Sequence, residues 1–252
     1  MVRIRTEREI DLISVSCQIV ADTLDMLAEH VKPGVSILDL DAKAENFIRD
    51  AGARPAFKGY MGFPATLCVS VDDEVVHGIP SNRLLADGQI VGIDCGAEKD
   101  GYFGDHAKTF AVGKITQEKQ NLMDVTRKSL MLGIDAARPG NYVSDIGYAI
   151  QTYVEDFGYS IVRELVGHGI GTELHEEPQI PNYGEPKQGY KLREGMCVAI
   201  EPMINFGMKE VKTDPDGWTI RTMDGEVSAH FEHTIAITSN GPKILSQGIT
   251  NG

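Results

Sequence analysis

Five side chains in this sequence are of the types that hold metal ions, and four of them lie where an ionised group is costly. Asp94 follows Ile90, Val91 and Ile93, and Asp105 precedes Phe110 and Val112. Glu201 ends the apolar run MCVAI and is stopped by Pro202, while Glu232 sits in HFEHTIAIT. Carboxylates taken from water into such runs lose their hydration, and any two that meet there repel. A cation removes both penalties. With His168 these acids form a set of hard oxygen and imidazole donors, and their four negative charges are what two divalent ions would neutralise. Singly, each acid is more often a solvated hairpin residue or the partner of a lysine or arginine.

His168 belongs to VGHGIGTELHEEP, residues 166–178, where His175 follows it with glycines between. Nothing in that stretch resembles a helix face or a clean strand, so its side chains are expected to aim at something other than a core. An imidazole beside glycines is, taken alone, more often a surface or internally satisfied group than a reactive one.

The elements that must carry these residues are legible from pattern. Asp100-Gly101 between two strand-like arms is a strong hairpin signal. A two-residue loop there pairs Lys99 with Tyr102 and Asp94 with Ala107, which leaves Asp105 as a diagonal neighbour of Asp94 on the same face. A slip of one residue would separate the two carboxylates.

Shifting the chain by 106 residues brings Leu24, Pro33, Gly34, Asp39, Asp50 and Gly52 onto Leu130, Pro139, Gly140, Asp145, Asp156 and Gly158. The apolar stripe Leu40, Ala44, Phe47, Ile48, Ala51 likewise falls on Ile146, Ile150, Tyr153, Val154, Phe157, both at helical spacing. Each copy reads as helix, Pro-Gly break, helix. Ser36 with Asp39 suits a helix start, and Gly52 and Gly158 suit helix ends. Strand-like runs follow each pair: 66–76, 90–95 and 102–112, then 161–166, 196–200 and 231–238. Glycines 88 and 195 mark turns. The expected fold is α+β, with helices covering one face of antiparallel sheet, in one domain over 1–252 made of equivalent halves at about 12–113 and 118–245.

Composition narrows the class. The 252 residues are 42% hydrophobic and 24% charged, ordinary for a globular chain. No apolar run reaches membrane-span length, and the charged N-terminus does not read as a signal peptide, so a cytoplasmic protein without membrane association is expected. Cys17, Cys68, Cys95 and Cys197 are scattered and read as free thiols. The net charge of −13 disfavours nonspecific binding of nucleic acid.

The segments EVVHGIP, IDCGAEKDGYFGD, GHGIGTELHEEP, GMCVAIEPM and HFEHTIAIT together resemble the short, single-domain bacterial type I methionine aminopeptidases, from about Thr6 to Leu245. The resemblance implies the two-halved pita-bread fold around a curved sheet. It also implies a dinuclear site with Asp105 and Glu232 bridging two ions, Asp94 completing one coordination sphere, and His168 with Glu201 completing the other. A hydroxide between the ions would be the nucleophile and Glu201 its general base. His175 would hydrogen-bond the carbonyl oxygen and His77 the scissile amide nitrogen. Phe57, Tyr60, Phe63, Cys68, His77, Leu174 and Trp218 would line the methionine pocket. The ions would be Co, Mn, Fe, Ni or Zn, and the substrates N-terminal methionyl peptides of nascent chains with a small second residue, with transient ribosome association and a monomeric state. Met61, Phe57, Leu174 and His106 depart from commoner patterns, the last beside a bridging ligand. A proline-specific peptidase of the same fold and a non-catalytic binding relative are the competing readings.

Overall fold

A computed structural model describes residues 2–248. Four helices carry the repeat: α1 (Glu7–Ala28) and α2 (Ile37–Asp50), then α3 (Gln117–Ala136) and α4 (Val143–Glu155). The 106-residue shift takes the first residue of α2 onto the first residue of α4 (37 + 106 = 143). Gly34 and Gly140 occupy the breaks at φ of 86° and 94°, and Gly52 and Gly158 follow the second helices at 72° and 76°. This left-handed backbone is adopted freely by glycine alone. Thr6 and Glu9 form a capping box on α1, with the Thr6 N–H donating to Glu9 Oε2 at 2.8 Å. Ser36, in contrast, makes no side-chain cap on α2, so the expected cap is absent. In the second copy Asp145 accepts from the Tyr142 N–H at 2.7 Å.

Each helix pair covers its own antiparallel sheet. In the first half the strand Ile90–Lys99 is central, with Tyr102–Ala111 on one edge and Arg54–Pro55 and Leu67–Val71 on the other. The second sheet runs in the order Gly241–Ile244, His233–Thr238, Cys197–Ile200, Gly167–Gly169, Glu176–Ile180. Leu24, Leu40 and Ile48 bury against Leu67, Val91 and Ile93; Leu130, Ile146 and Ile150 bury against Val198, Ile200 and Ile235. The helical stripes meet these cores, except that Phe47 in the first is half-buried outside the core cluster and Phe157 at the end of the second is 53% exposed, beyond the last turn of α4. No helix among the described residues is long and apolar enough to cross a membrane.

Several strand boundaries differ from the sequence pattern. The run 66–76 is two strands, Leu67–Val71 and Glu74–Val76, separated by a turn in which Asp72 takes φ of 55°. Of 161–166 only Ile161, in the strand Ser160–Ile161, is strand; Val162 beyond it is buried and donates its N–H to the Met203 carbonyl at 3.1 Å. The stretch 166–178, expected to be neither helix nor strand, contains Gly167–Gly169 and the start of Glu176–Ile180, paired across a bulge. Its glycines permit that close backbone approach: a Cβ on Gly167 would lie 2.4 Å from the Ala199 carbonyl oxygen.

The hairpin has the register read from Asp100-Gly101. Lys99 pairs with Tyr102 and Asp94 with Ala107, and both loop residues take positive φ. The second half repeats this register in two short strand pairs, with residues 201–202 and 231–232 between them outside the strands. Ile93 pairs with Lys108 and Gly96 with Asp105; correspondingly, Ile200 pairs with His233 and Met203 with His230. Shifts of 107 on one strand (203 − 96) and 125 on the other (230 − 105) therefore superpose the two ladders. They carry Asp94 onto Glu201, Asp105 onto His230, Ala107 onto Glu232 and Thr109 onto Thr234.

Those strands meet in a seam joining the halves. Thr234 Oγ1 donates to the Asp105 carbonyl at 2.8 Å, and its equivalent Thr109 Oγ1 donates to the His230 carbonyl at 2.7 Å. Between them the Glu232 N–H donates to the Ala107 carbonyl at 3.0 Å.

Gly104 lets α1 lie directly on the hairpin, because a Cβ there would stand 2.4 Å from the Cys17 nitrogen and 2.6 Å from the Ser16 carbonyl carbon. Helix backbone cannot yield as a flexible side chain can. Gly104→Ala is expected to destabilise the fold by roughly 1–3 kcal/mol or more, the usual cost of overpacking. Urea unfolding of the variant beside the parent protein measures it, and an unchanged midpoint would contradict the close contact.

Candidate metal centre and adjoining cleft

The two ladders and the seam bring Asp94, Asp105, Glu201 and Glu232 to one place, where His168 joins them from the strand Gly167–Gly169. His168 Nε2 lies 3.9 Å from Asp105 Oδ2 and 3.6 Å from Glu201 Oε1. His168 Nδ1 is 3.0 Å from the Gly169 carbonyl, which can only accept. Nδ1 therefore carries the proton, and Nε2 offers a lone pair toward the carboxylates, the tautomer a metal ligand requires. Asp105, His168 and Glu232 each place a donor atom within 4.8 Å of the other two.

Electrostatics agree with a cation site. Burial, together with the Glu201 charge, pushes Asp94 up to about 7 even though His230 opposes the shift. Burial and then the Asp94 charge raise Asp105 well above the usual carboxylate range; burial and then Asp105 do the same to Glu232. Glu201 alone is lowered: its burial acts upward, but His230, His168 and His77 more than offset it. Among the described residues, Asp94 Oδ1, Asp105 Oδ1, Glu232 Oε1 and His230 Nε2 are buried without a hydrogen-bond partner. Native structures leave few such atoms. Divalent ions would satisfy them, and oxygen atoms with imidazole nitrogen are a donor set suited to those ions. The residues fit the group.

Beside these acids opens a cleft of about 660 Å³, lined by all five metal-type residues and by Phe57, Tyr60, Phe63, Cys68, His77, Leu174, His175 and Trp218. Every residue singled out in the sequence for a site lies on this one wall. The segment 57–63 is a self-bonded loop, with Gly59 N–H donating to the Phe63 carbonyl at 2.8 Å and Phe63 N–H to Tyr60 at 2.9 Å. It presents Phe57, Tyr60 and Phe63, which pack with Cys68, Leu174 and Trp218 in one apolar cluster. Trp218 follows a turn bound by Asp216, whose Oδ1 accepts from the Trp218 N–H at 2.8 Å, and it meets Phe63 edge-on with ring centroids 5.1 Å apart.

His175 connects the apolar slot to the acids. Its ring is 4.3 Å from that of His168, and its Nδ1 is 2.8 Å from the Tyr60 hydroxyl. Burial and then His168 lower it to about 4, and burial lowers His77 as well, so both imidazoles are neutral near pH 7. His77 is held at φ of 59°, and Gly78 after it has no room for a Cβ, which would stand 2.2 Å from the Val69 carbonyl oxygen. A left-handed non-glycine residue stores strain of about 1–3 kcal/mol, which concentrates at functional sites.

The residues that depart from common pattern are also placed. Met61 stands on the cleft rim and is 82% exposed. His106 points away from the acids, stacks on His233 at 4.4 Å, and reaches the centre only through a contact of its Nδ1 with the Glu232 carbonyl. Two contributors leave little signal in the sequence. One is His230, whose signal was its position two residues before Glu232. The other is the buried Arg5–Glu176 pair, bonded at 2.5 Å. Glu176 also accepts from the Thr172 and Glu173 N–H groups at 2.9 and 3.1 Å, which folds the loop that ends in His175. The partners are 171 positions apart, beyond any local pattern.

Comparison with known proteins agrees with this geometry. Residues 11–239 match the family described as metallopeptidase family M24. The chain is 51% identical over 247 residues to methionine aminopeptidase 1 of Bacillus subtilis, covering 98% of this chain and 100% of that one. It is 50% identical over 247 residues to a methionine aminopeptidase of Clostridium acetobutylicum, covering 98% and 99%. The crystal structure of a methionine aminopeptidase from Thermotoga maritima superposes with a TM-score of 0.97 at 43% identity, over 98% of this chain and 100% of that one. The prolidase of Pyrococcus furiosus is more distant, with a TM-score of 0.80 and 25% identity, and the match covers 97% of this chain but 65% of the prolidase.

Two outcomes follow from the geometry. Adding Mn²⁺ at about a hundred times its dissociation constant to metal-free protein should contribute roughly 2.7 kcal/mol, because ions bind the native state alone. Thermal unfolding should shift upward by several degrees, and Asp105→Asn should lose most of the shift. Arg5→Ala, which leaves Glu176 buried and unpaired, is expected to cost roughly 3–5 kcal/mol in denaturant unfolding. Arg5→Lys should recover part of it.

Proposed function

Because this chain belongs to metallopeptidase family M24, we propose that it removes the initiator methionine from newly made polypeptides and uses two divalent ions to do so. The observation that carries the reading is the junction of an acid-rich donor cluster and an aromatic slot in one cleft, with His175 in contact with both. Asp94, Asp105, His168, Glu201 and Glu232 would hold the ions. Bound there, the ions supply Lewis acidity toward the scissile carbonyl and lower the pKa of water.

The chain's own groups do the rest. The methionine side chain enters the slot of Phe57, Tyr60, Phe63, Cys68, Leu174 and Trp218. An unbranched thioether fits aromatic walls, and each sulfur–aromatic contact contributes roughly 0.3–1.5 kcal/mol. Glu201, whose carboxyl is kept below its ordinary range, is ionised at neutral pH and takes the proton from the attacking water. His175, neutral and oriented by Tyr60, donates a hydrogen bond to the carbonyl oxygen as negative charge develops there. His77, which also lines the cleft, hydrogen-bonds the scissile amide nitrogen in this reading. Nascent chains as substrates call for a cytoplasmic enzyme meeting them at the ribosome, and a monomer suffices, since one chain contributes every group named. Oxygen-rich donors accept Mn, Fe, Co, Ni or Zn, and availability selects among them.

Hydrolysis of Met-Ala-Ser should exceed that of Met-Leu-Ser at least tenfold with added Mn²⁺ or Co²⁺, stop on chelation, and return when metal is restored. Xaa-Pro peptides should be poorer substrates than Met-Ala-Ser. His175→Ala should lower kcat by roughly 10²–10³, the usual loss for one such donor. Equal cleavage of the two methionyl peptides, or activity indifferent to chelation, would overturn the reading.

A further inference from the structure

Resting on the metallopeptidase reading of the cleft, we propose that His230 is a sixth protein donor of the metal centre, an imidazole ligand to the ion that Glu201 and Glu232 hold. A donor atom of His230 and one from each of these two carboxylates lie within 4.8 Å of one another, as those of Asp105, His168 and Glu232 do. The two groups share Glu232, and each has one imidazole.

The symmetry of the halves leads to the same residue. The shift that carries Asp94 onto Glu201 has as its companion on the paired strand the shift that carries Asp105 onto His230. Asp105 faces its diagonal neighbour Asp94 in the first ladder, and His230 faces Glu201 in the second. His230 therefore occupies in its half the position that a carboxylate of the centre occupies in the other.

Local geometry fits ligation better than a packing role. His230 is 4% exposed, and its Nε2 lacks a hydrogen-bond partner, the condition of Asp94 Oδ1, Asp105 Oδ1 and Glu232 Oε1. Nε2 stands 3.6 Å from Glu201 Oε2, beyond hydrogen-bond length, while His168 Nε2 stands 3.6 Å from Oε1 of the same carboxylate. Thr109 fixes the His230 backbone on both sides, accepting from its N–H at 3.0 Å and donating to its carbonyl at 2.7 Å. A second imidazole moves the donor set toward Fe, Co, Ni and Zn relative to Mn, which favours oxygen.

Nitrogen couplings measured by pulsed electron–nuclear double resonance on Mn²⁺-loaded protein with ¹⁵N-histidine count the bound imidazoles directly. Two are expected in the parent protein, and one in each of His230→Gln and His168→Gln. In calorimetric titration with Zn²⁺, His230→Gln should lose at least roughly tenfold in affinity for one ion, the lower end of losses seen even for outer-shell groups. A parent protein that binds two ions with a single coupled imidazole overturns the proposal, whatever the variant does to affinity. A parent protein that binds no divalent ion removes instead the metallopeptidase reading on which it rests.

Discussion

The structure is organised around a repulsion. Asp94, Asp105, Glu201 and Glu232 are brought together out of water, and three of them are pushed toward holding protons. Placing a single unpaired carboxylate in such surroundings costs several kcal/mol. The hairpin register, the glycines that admit close backbone, and the seam between the halves all work against this cost. The polypeptide alone does not settle it, since the buried oxygen atoms lack partners. Divalent charge would, which would make ion binding part of the stability of the fold as well as of its chemistry.

Rigidity and reactivity are divided between different elements. Asp94 and Asp105 stand on paired strands, while Glu201 and Glu232 sit in the short breaks just after Cys197–Ile200 and just before His233–Thr238, where the seam and the threonine pair Thr109 and Thr234 tie the neighbouring backbone. The groups proposed to meet a peptide come from loops: the self-bonded turn 57–63, the strained His77, the turn before Trp218, and the loop tied down by Arg5 and Glu176. A donor set carried on strands and on the short breaks between them keeps its spacing while loop-borne walls adjust to a side chain.

Much of this was legible in the residues. Asp100-Gly101 sets the hairpin register because a two-residue loop with positive φ admits only one pairing, so the shared face of Asp94 and Asp105 follows from local chemistry. The 106-residue repeat is visible because helix stripes and Pro-Gly breaks are periodic. The sheet half of the repeat is not, since its strands are displaced by 107 and 125 and their residues differ in kind. No helix-length pattern could link Asp105 to His230. Arg5 and Glu176 were equally silent, because an ion pair between the first residues and a distant loop leaves no spacing to read. Strands as short as Met203–Asn205 and Ser228–His230 owe their form to neighbours and not to propensity.

The approximate dyad through the seam has a consequence for direction. Two identical halves would present the same residues on either side of the axis, and a centre with that symmetry cannot distinguish the two ends of a peptide laid across it. Joining the halves in one polypeptide lets equivalent positions diverge. Ala107 stays small where its counterpart is Glu232, and Asp105 is answered by an imidazole. Polarity of recognition is thus a product of covalent fusion: the chain has a front and a back where a homodimer would have two fronts.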